Sequence, residues 1–189
     1  MTSPIDRLAV AVPVTGHLVA AIGPDQWELA TPCPDWTVRD VVNHLVLGHR
    51  RFAAALTGGT PPAPGDDLLG SDPESAYWSS AEAMLAAFRA EGALDRTVSI
   101  PAGTLPGSVA CELRVVEALV HGWDLARATG RTLEFPADLV EDSIAFSRVQ
   151  RGRLPADRTP FGPSQPARDD APPLDRLAAL LGRRIAWSG

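Results

Sequence analysis

Three residues on one predicted helix have side chains that could bind a metal ion. Glu117 and His121 stand four residues apart, and Asp124 follows three residues later, so a helix would place all three on one face. The rest of the segment from Val109 to Thr129 is mostly apolar, and a carboxylate there is costly to bury unless it is hydrogen-bonded, paired or bound to metal. The pattern indicates either a metal site or an ordinary Glu–His pair at the rim of the core. Taken alone, it favours the second interpretation.

A third ligand would have to come from another helix, and histidine is the obvious donor. The chain has four histidines, namely His17, His44, His49 and His121. His44 lies at the edge of the apolar stripe of the second predicted helix, and Gly48, about one turn further on, leaves room for another group to approach. His49 lies nearer the centre of that stripe, as a core histidine would. Helical geometry alone does not choose between His44 and His49.

Helices must position these side chains, and apolar residues at helical spacing predict six of them. The predicted spans are Ile5 to Ile22, Thr37 to Gly58, Pro73 to Glu91, Val109 to Thr129, Pro136 to Val149 and Leu174 to Leu181. Thr37 and Asp40 have the form of a capping box with Asp in the place of Glu, and Ser71 or Asp72 is expected to cap the third helix. The fourth helix is apolar nearly all round, which is typical of a helix in the middle of a bundle.

Proline-rich segments separate these helices. The stretch from Ala30 to Trp36 is predicted to be a rigid loop, and Arg96 to Ile100 is expected to be a short extended segment, followed by a turn from Pro101 to Gly107. A long excursion with six prolines runs from Pro155 to Pro173. The predicted fold is therefore mainly all-α, a four-helix bundle with long loops and a short extended accessory, and residues 1–189 are expected to form a single domain.

Composition excludes several classes of function. The net charge is −6 and the pI is near 5.1, which argues against nucleic acid as a partner. No apolar run is long enough to span a membrane and no signal peptide is apparent, so a cytoplasmic protein with reduced Cys33 and Cys111 is expected. All 17 basic residues are Arg, which rules out a lysine Schiff base and a Walker-type phosphate loop. The GxSxG and HExxH motifs are also absent.

Two motifs resemble a known family. The segment Thr31–Leu45 resembles the entry loop and second helix of the DinB-like superfamily, and more closely its actinobacterial branch related to mycothiol-dependent maleylpyruvate isomerase. Glu117–Ala126 is similar to the second signature of that branch, and Phe161–Pro163 and Asp170–Leu177 are similar to its C-terminal tail. The resemblance covers the chain from the first helix almost to the end and implies a DinB-like bundle.

The resemblance also implies a metal site and a cofactor. In the family, the histidine of the second helix and the Glu-x3-His pair bind a divalent metal, usually zinc, and they correspond to His44, Glu117 and His121. Ni²⁺, Fe²⁺ and Mn²⁺ accept similar ligands. Asp124 is a candidate either to orient one of these ligands or to cap the neighbouring backbone. Three protein ligands leave one position open, where relatives bind a low-molecular-weight thiol such as mycothiol or bacillithiol.

The function implied is a metal-dependent thiol transferase or isomerase that acts on an electrophilic small molecule, as a monomer or homodimer. The archetypal isomerase has an additional C-terminal domain with a catalytic arginine, so the resemblance leaves open whether maleylpyruvate itself is a substrate. A hydrolase that uses metal-bound water stays open as well. Two alternatives are a non-catalytic metal-binding or partner-binding module, and a structural bundle in which Glu117 and His121 pair with arginines. Trp36, Trp123 and both cysteines are expected to pack in the core, although the two tryptophans could also wall a pocket.

Overall fold

The computed structural model describes residues 3–100, 103–153 and 161–186, most of which are helical. The helices are α1 (Pro4–Ala20), α2 (Val38–Thr57), α3 (Pro73–Arg89), α4 (Gly107–Thr129), α5 (Ala137–Arg153) and α6 (Pro173–Leu180). All six helices expected from the sequence are present, with ends shifted by a few residues. The prediction of a mainly all-α fold is confirmed.

The first four helices form the bundle. Helix α1 packs against α3 and α4, and α2 packs against the same two helices from the other side. Helices α5 and α6 pack against each other and against α4. Helix α4 therefore has neighbours on nearly all sides and is buried along most of its length, as its apolar sequence predicts.

Capping residues set the start and end of α2, which carries His44. Thr37 is its N-cap, and its Oγ1 accepts a hydrogen bond from the Asp40 backbone N–H at 3.2 Å, while Asp40 Oδ2 accepts one from the Thr37 N–H at 2.9 Å. This is the predicted capping box. The helix ends at Gly58, whose φ of 74° is in the left-handed region that glycine adopts readily. Of the two candidates for the cap of α3, Asp72 is the residue that acts.

A two-stranded hairpin precedes α4. Strand β1 (Thr97–Ile100) pairs antiparallel with β2 (Gly103–Pro106), with Val98 opposite Leu105. The extended segment was expected, but the second strand lies where the sequence predicts only a turn. Glycine and proline at its ends hide the alternation that marks a strand, so pairing with β1, not local propensity, makes it one. Residues 101 and 102, inside the expected turn, lie outside the described residues.

The tail, residues 161–186, packs against the bundle and is hydrogen-bonded to α4. Residues 154–160, which begin the predicted excursion, lie outside the described residues. On α6, Asp175 accepts hydrogen bonds from Trp123 Nε1 at 2.7 Å and from Arg127 at 3.0 Å. Trp123 is thus a packing residue that anchors the tail. Within the described part of the chain, no helix combines the length and apolarity that a membrane crossing requires.

Candidate metal centre

Packing of α2 against α4 brings His44, Glu117 and His121 together. Glu117 Oε2 lies 2.8 Å from His44 Nε2 and 3.3 Å from His121 Nε2. One nitrogen or oxygen from each of the three residues can be chosen so that all lie within 4.8 Å of one another. Two imidazoles and one carboxylate are the donor set of many catalytic zinc sites. The residues that the family resemblance singled out therefore form one compact cluster.

The other two histidines lie elsewhere. His49 is fully buried, its Nδ1 is 3.0 Å from Ser80 Oγ, and its ring packs edge-on against Tyr77 at a centroid distance of 5.1 Å. It therefore faces α3, on the other side of α2. His17 packs against Trp78. Of the two candidates that helical geometry left open, only His44 faces Glu117.

Asp124 holds His121 in its orientation. Its Oδ2 accepts a hydrogen bond from His121 Nδ1 at 3.0 Å, which leaves Nε2 to face Glu117. Of the two roles considered for Asp124, the hydrogen-bond geometry fits that of orienting a ligand. A carboxylate on the distal nitrogen fixes the tautomer of a metal-binding histidine and makes the other nitrogen a better donor.

Arg183, in the tail, completes this arrangement. Its Nε and Nη2 donate to the two oxygens of Asp124 at 3.1 and 2.8 Å, and both side chains are buried. The forked contact neutralises the carboxylate and gives each of its two oxygens a hydrogen bond from Arg183. Sequence reasoning missed Arg183, because nothing in its local sequence sets it apart from the other arginines of the chain.

Cys33 lies closer to the site than the sequence suggested. Its Sγ forms a second compact group with His121 and Asp124. Both oxygens of Asp124 are already occupied by Arg183, and burial raises the pKa of the Cys33 thiol to about 11. This second group thus offers neither a free carboxylate nor a ready thiolate. The first group suits a metal better. Cys111 is buried in the core, as expected.

The loop before α2 supplies a wall of the site. Thr31 Oγ1 donates to the carbonyl of Trp36 at 2.9 Å and accepts from the Cys33 backbone N–H at 3.2 Å, so the loop is closed on itself. The Trp36 ring lies 4.8 Å from that of His44 and 5.8 Å from that of His121, between centroids. Trp36 therefore covers both imidazoles in addition to packing on the core.

Exposure differs across the cluster and shows where a ligand can enter. The side chain of His44 is 34% exposed, that of Glu117 15% and that of His121 3%. The cluster therefore opens to solvent beside His44 and is closed behind His121. A small molecule would reach it from the His44 side.

The pKa shifts of Glu117, His44 and His121 bear on whether these side chains can bind a metal ion. Burial would raise the pKa of Glu117, but hydrogen bonds with His121 and His44 outweigh it and hold that pKa well below its usual range. Burial lowers the pKa of His44 despite its bond to Glu117. Burial would also lower the pKa of His121, but Asp124 and Glu117 raise it. An ionised Glu117 and a neutral His44 are the forms that bind metal, and a cation would displace the proton that the carboxylates stabilise on His121.

A buried guanidinium lies beneath Glu117. Arg114 Nη1 is 3.9 Å from Glu117 Oε2, too far for a hydrogen bond, and the Arg114 side chain is 3% exposed. A Cβ added to Gly48 would collide with the same Nη1. The space that the sequence placed at Gly48 is thus filled by Arg114. Glu117 thus lies closer to the two histidines than to this arginine, with which it forms only a long ion pair.

Gly48→Ala should destabilise the protein by about 1–2 kcal/mol. Alanine gains up to about 1 kcal/mol in a helix interior, but the added methyl group collides with the enclosed guanidinium of Arg114, and overpacking costs about 1–3 kcal/mol. Urea unfolding measures the change. Gly152→Ala on α5 is the matched control, because a Cβ there meets nothing within 4 Å, and it should be neutral or stabilising. Equal effects of the two substitutions would contradict this view of Gly48.

Most of the chain is similar to proteins of a known family. Residues 11–126 match the family model described as the mycothiol maleylpyruvate isomerase N-terminal domain. That span contains His44, Glu117, His121 and Asp124 and leaves Arg183 outside. Uncharacterised proteins of Mycobacterium tuberculosis, from strains CDC 1551 and H37Rv, are 34% identical to this chain over 172 residues, which is 89% of this chain and 91% of each relative.

Solved structures share the fold. The crystal structure of the mycothiol-dependent maleylpyruvate isomerase superposes with a TM-score of 0.55 at 18% identity, over 75% of this chain and 70% of that one. A DinB-like protein of Bacillus subtilis superposes with a TM-score of 0.57, also at 18% identity, over 70% of this chain and 96% of the other. At this level of identity the likeness shows the fold alone.

Proposed function

Since this chain belongs to the family of the mycothiol maleylpyruvate isomerase N-terminal domain, we propose that it binds one divalent metal ion through His44, Glu117 and His121. Zn²⁺ is the ion that two imidazoles and one carboxylate favour, and Ni²⁺, Fe²⁺ and Mn²⁺ are the alternatives. The observation that carries the proposal is the approach of both histidine Nε2 atoms to one carboxylate oxygen, at 2.8 and 3.3 Å. In this proposal, residues 1–189 form a single metal-binding domain.

We further propose that the bound metal serves a low-molecular-weight thiol. A metal in an open three-ligand site supplies Lewis acidity that converts a thiol to its thiolate. The chain's own residues shape the access to it: Trp36 shields the imidazoles, and the exposed side of His44 admits the ligand. Mycothiol is the thiol named for the isomerase of the same family.

The reaction class is transfer of the thiol to, or thiol-assisted isomerisation of, an electrophilic small molecule. Among the described residues, Cys33 has the thiol beside the centre, and it is a poor nucleophile because burial raises its pKa to about 11. An external thiol therefore fits the site better than an internal one. Arg183 holds Asp124, and Asp124 fixes the orientation of the His121 ring. His121 is therefore the fixed side of the proposed site, and the thiol and substrate would enter and leave on the side of His44.

The experiment that tests this function uses protein loaded with Co²⁺ or Zn²⁺ and titrated with mycothiol. We expect about one metal ion per chain, a thiolate-to-cobalt absorption band that saturates with mycothiol, and release of a proton as the zinc form binds the thiol. Turnover is then tested in two ways: by the consumption of mycothiol with 1-chloro-2,4-dinitrobenzene, which forms the S-aryl product and chloride, and by the loss of maleylpyruvate at constant mycothiol, because an isomerisation regenerates the thiol. Cys33→Ser is the matched control, and its cobalt band should persist because the sulfur comes from mycothiol.

The other outcomes separate the alternatives. Metal binding without a mycothiol-dependent band would leave a non-catalytic metal-binding module. A band lost in Cys33→Ser would mean that the protein's own cysteine binds the metal. A protein that cannot be loaded with metal would leave a purely structural bundle.

A further inference from the structure

A cavity adjoins the metal centre along α4. It has a volume of about 250 Å³, lies between the hairpin, α4, α5 and the tail, and is partly open to solvent. Val109 and Leu113 line it, and Glu117 follows Leu113 by four residues, so the three side chains lie along one side of the helix. Four residues rise about 6 Å along a helix axis. The cavity therefore begins about one helical turn from a proposed metal ligand.

The tail connects the same two features from another direction. Phe161 and Leu181 line the cavity, the Arg183 guanidinium lies over the Phe161 ring at 5.9 Å, and Arg183 Nη1 donates to the Leu181 carbonyl at 3.0 Å. Arg183 also holds Asp124, which orients His121. One segment of the tail thus forms a wall of the cavity and supports a proposed ligand of the metal.

The walls of the cavity are mainly apolar but include a cation. The apolar side chains are those of Ile100, Leu105, Val109, Leu113, Val116 and Phe146. Among the described residues that line the cavity, Arg151 on the last turn of α5 is the one with a charge, and it is half-buried. Its Nη1 donates to the Gly162 carbonyl at 3.1 Å. This contact with a carbonyl leaves the charge of Arg151 uncompensated and leaves its other N–H groups for a ligand.

We propose that this cavity binds the apolar body of the electrophile and that Arg151 binds a carboxylate on it. The proposal rests on the proposed function, since it assigns a subsite for the electrophile of the same metal centre. An apolar cavity of about 150 Å³ holds benzene, so about 250 Å³ suits an aromatic ring with substituents. A guanidinium binds a carboxylate with charge-assisted hydrogen bonds, which are stronger than those to a neutral group. The substrate class is therefore an aromatic or similarly apolar carboxylate.

The compound 3-nitrobenzoate tests binding apart from turnover, because it has a ring and a carboxylate but no leaving group. Calorimetric titration should show saturable binding of one molecule per chain, to the metal-free and the metal-loaded protein alike. Arg151→Gln should weaken it about 10-fold, as loss of a hydrogen bond to a charged group predicts, and Arg151→Lys should restore part of the affinity. Arg148→Gln is the matched control, because Arg148 lies on the same helix but is exposed and does not line the cavity.

Turnover of 4-chloro-3-nitrobenzoate with mycothiol tests the subsite in the reaction. The thiol sulfur forms a bond to the ring carbon, chloride leaves with the electron pair of the broken C–Cl bond, and the thiol proton goes to solvent. Arg151→Gln should raise the KM for this acid about 10-fold with little change in kcat. The methyl ester of the acid and 1-chloro-2,4-dinitrobenzene lack the carboxylate and should be unaffected. An equal loss with all three compounds would show that Arg151 only supports the tail through Gly162, and would overturn the proposal.

The outcomes separate this proposal from the proposed function. Arg151-dependent binding of 3-nitrobenzoate without turnover of any of the three electrophiles would support the cavity site and contradict the proposed function. Turnover of 1-chloro-2,4-dinitrobenzene, with equal 3-nitrobenzoate binding in the wild type and Arg151→Gln, would do the reverse. Binding that requires the metal and is indifferent to Arg151 would place the carboxylate on the metal and would overturn the proposal. Leu105→Trp, which blocks the cavity from the hairpin, should weaken 3-nitrobenzoate binding, and an unchanged affinity would also count against it.

Discussion

His121→Ala should lower the zinc affinity more than about 100-fold and leave the purified protein with only a trace of metal. The substitution removes one of the three proposed ligands, and loss of a group that merely orients a ligand already costs about 10–100-fold. It also leaves the buried Asp124 without its histidine partner. Elemental analysis of untagged protein, followed by competition with a zinc-binding dye, measures the loss. His44→Ala and Glu117→Gln should behave alike.

The matched control for this prediction is His49→Gln, five residues from His44 on the same helix. His49 bonds Ser80 and faces α3, so its replacement should leave the metal content unchanged in the protein that folds. Circular dichroism of each variant accounts for any loss of folded protein. Retention of zinc by His121→Ala, or its loss in the folded His49→Gln protein, would show that the ligand set is wrong.

Arg183→Leu should destabilise the protein by about 3–5 kcal/mol, the usual cost of removing one partner of a buried ion pair. Asp124 is fully buried and receives two hydrogen bonds from Arg183, so the substitution would leave its charge uncompensated. Urea unfolding of the metal-free protein measures this cost. The zinc affinity should fall about 10–100-fold in addition, because His121 loses a rigid partner.

Two further variants test the cause of that instability. Arg168→Ala lies in the same tail, but its pair with Asp170 is exposed, so it should change stability little. The double variant Asp124→Leu/Arg183→Leu should recover much of the lost stability, since it removes both charges together. Equal effects of Arg183→Leu and Arg168→Ala would contradict the role given to the buried pair.

Sequence reasoning succeeded where the signal is local. The capping box of Thr37 and Asp40 marks the start of α2 because both of its hydrogen bonds lie within one turn. The end of α2 at Gly58 and the apolar residues all around α4 can likewise be read from a short stretch of sequence. Spacing also placed Glu117 and His121 on one face. These features required no knowledge of how the helices pack.

Sequence reasoning failed where a side chain finds its partner across the fold. His44 and His49 lie on one helix, and only the positions of α3 and α4 decide that the first meets Glu117 and the second Ser80. Family resemblance, and not spacing, made that choice beforehand. Arg183 and Cys33 reach His121 and Asp124 from distant segments, and no periodicity reports such contacts. Strand β2 was missed for the same reason.

The tail contact has a consequence for the order in which the site can form during synthesis. Arg183 and Asp124 are 59 residues apart, and His44 and Glu117 are 73 apart. Contacts between residues so far apart in sequence form late, because the loops between them must close first. While the ribosome is still adding the tail, α2 and α4 can already meet, but His121 lacks its support. The nascent chain therefore completes its candidate metal centre only after Arg183 has emerged.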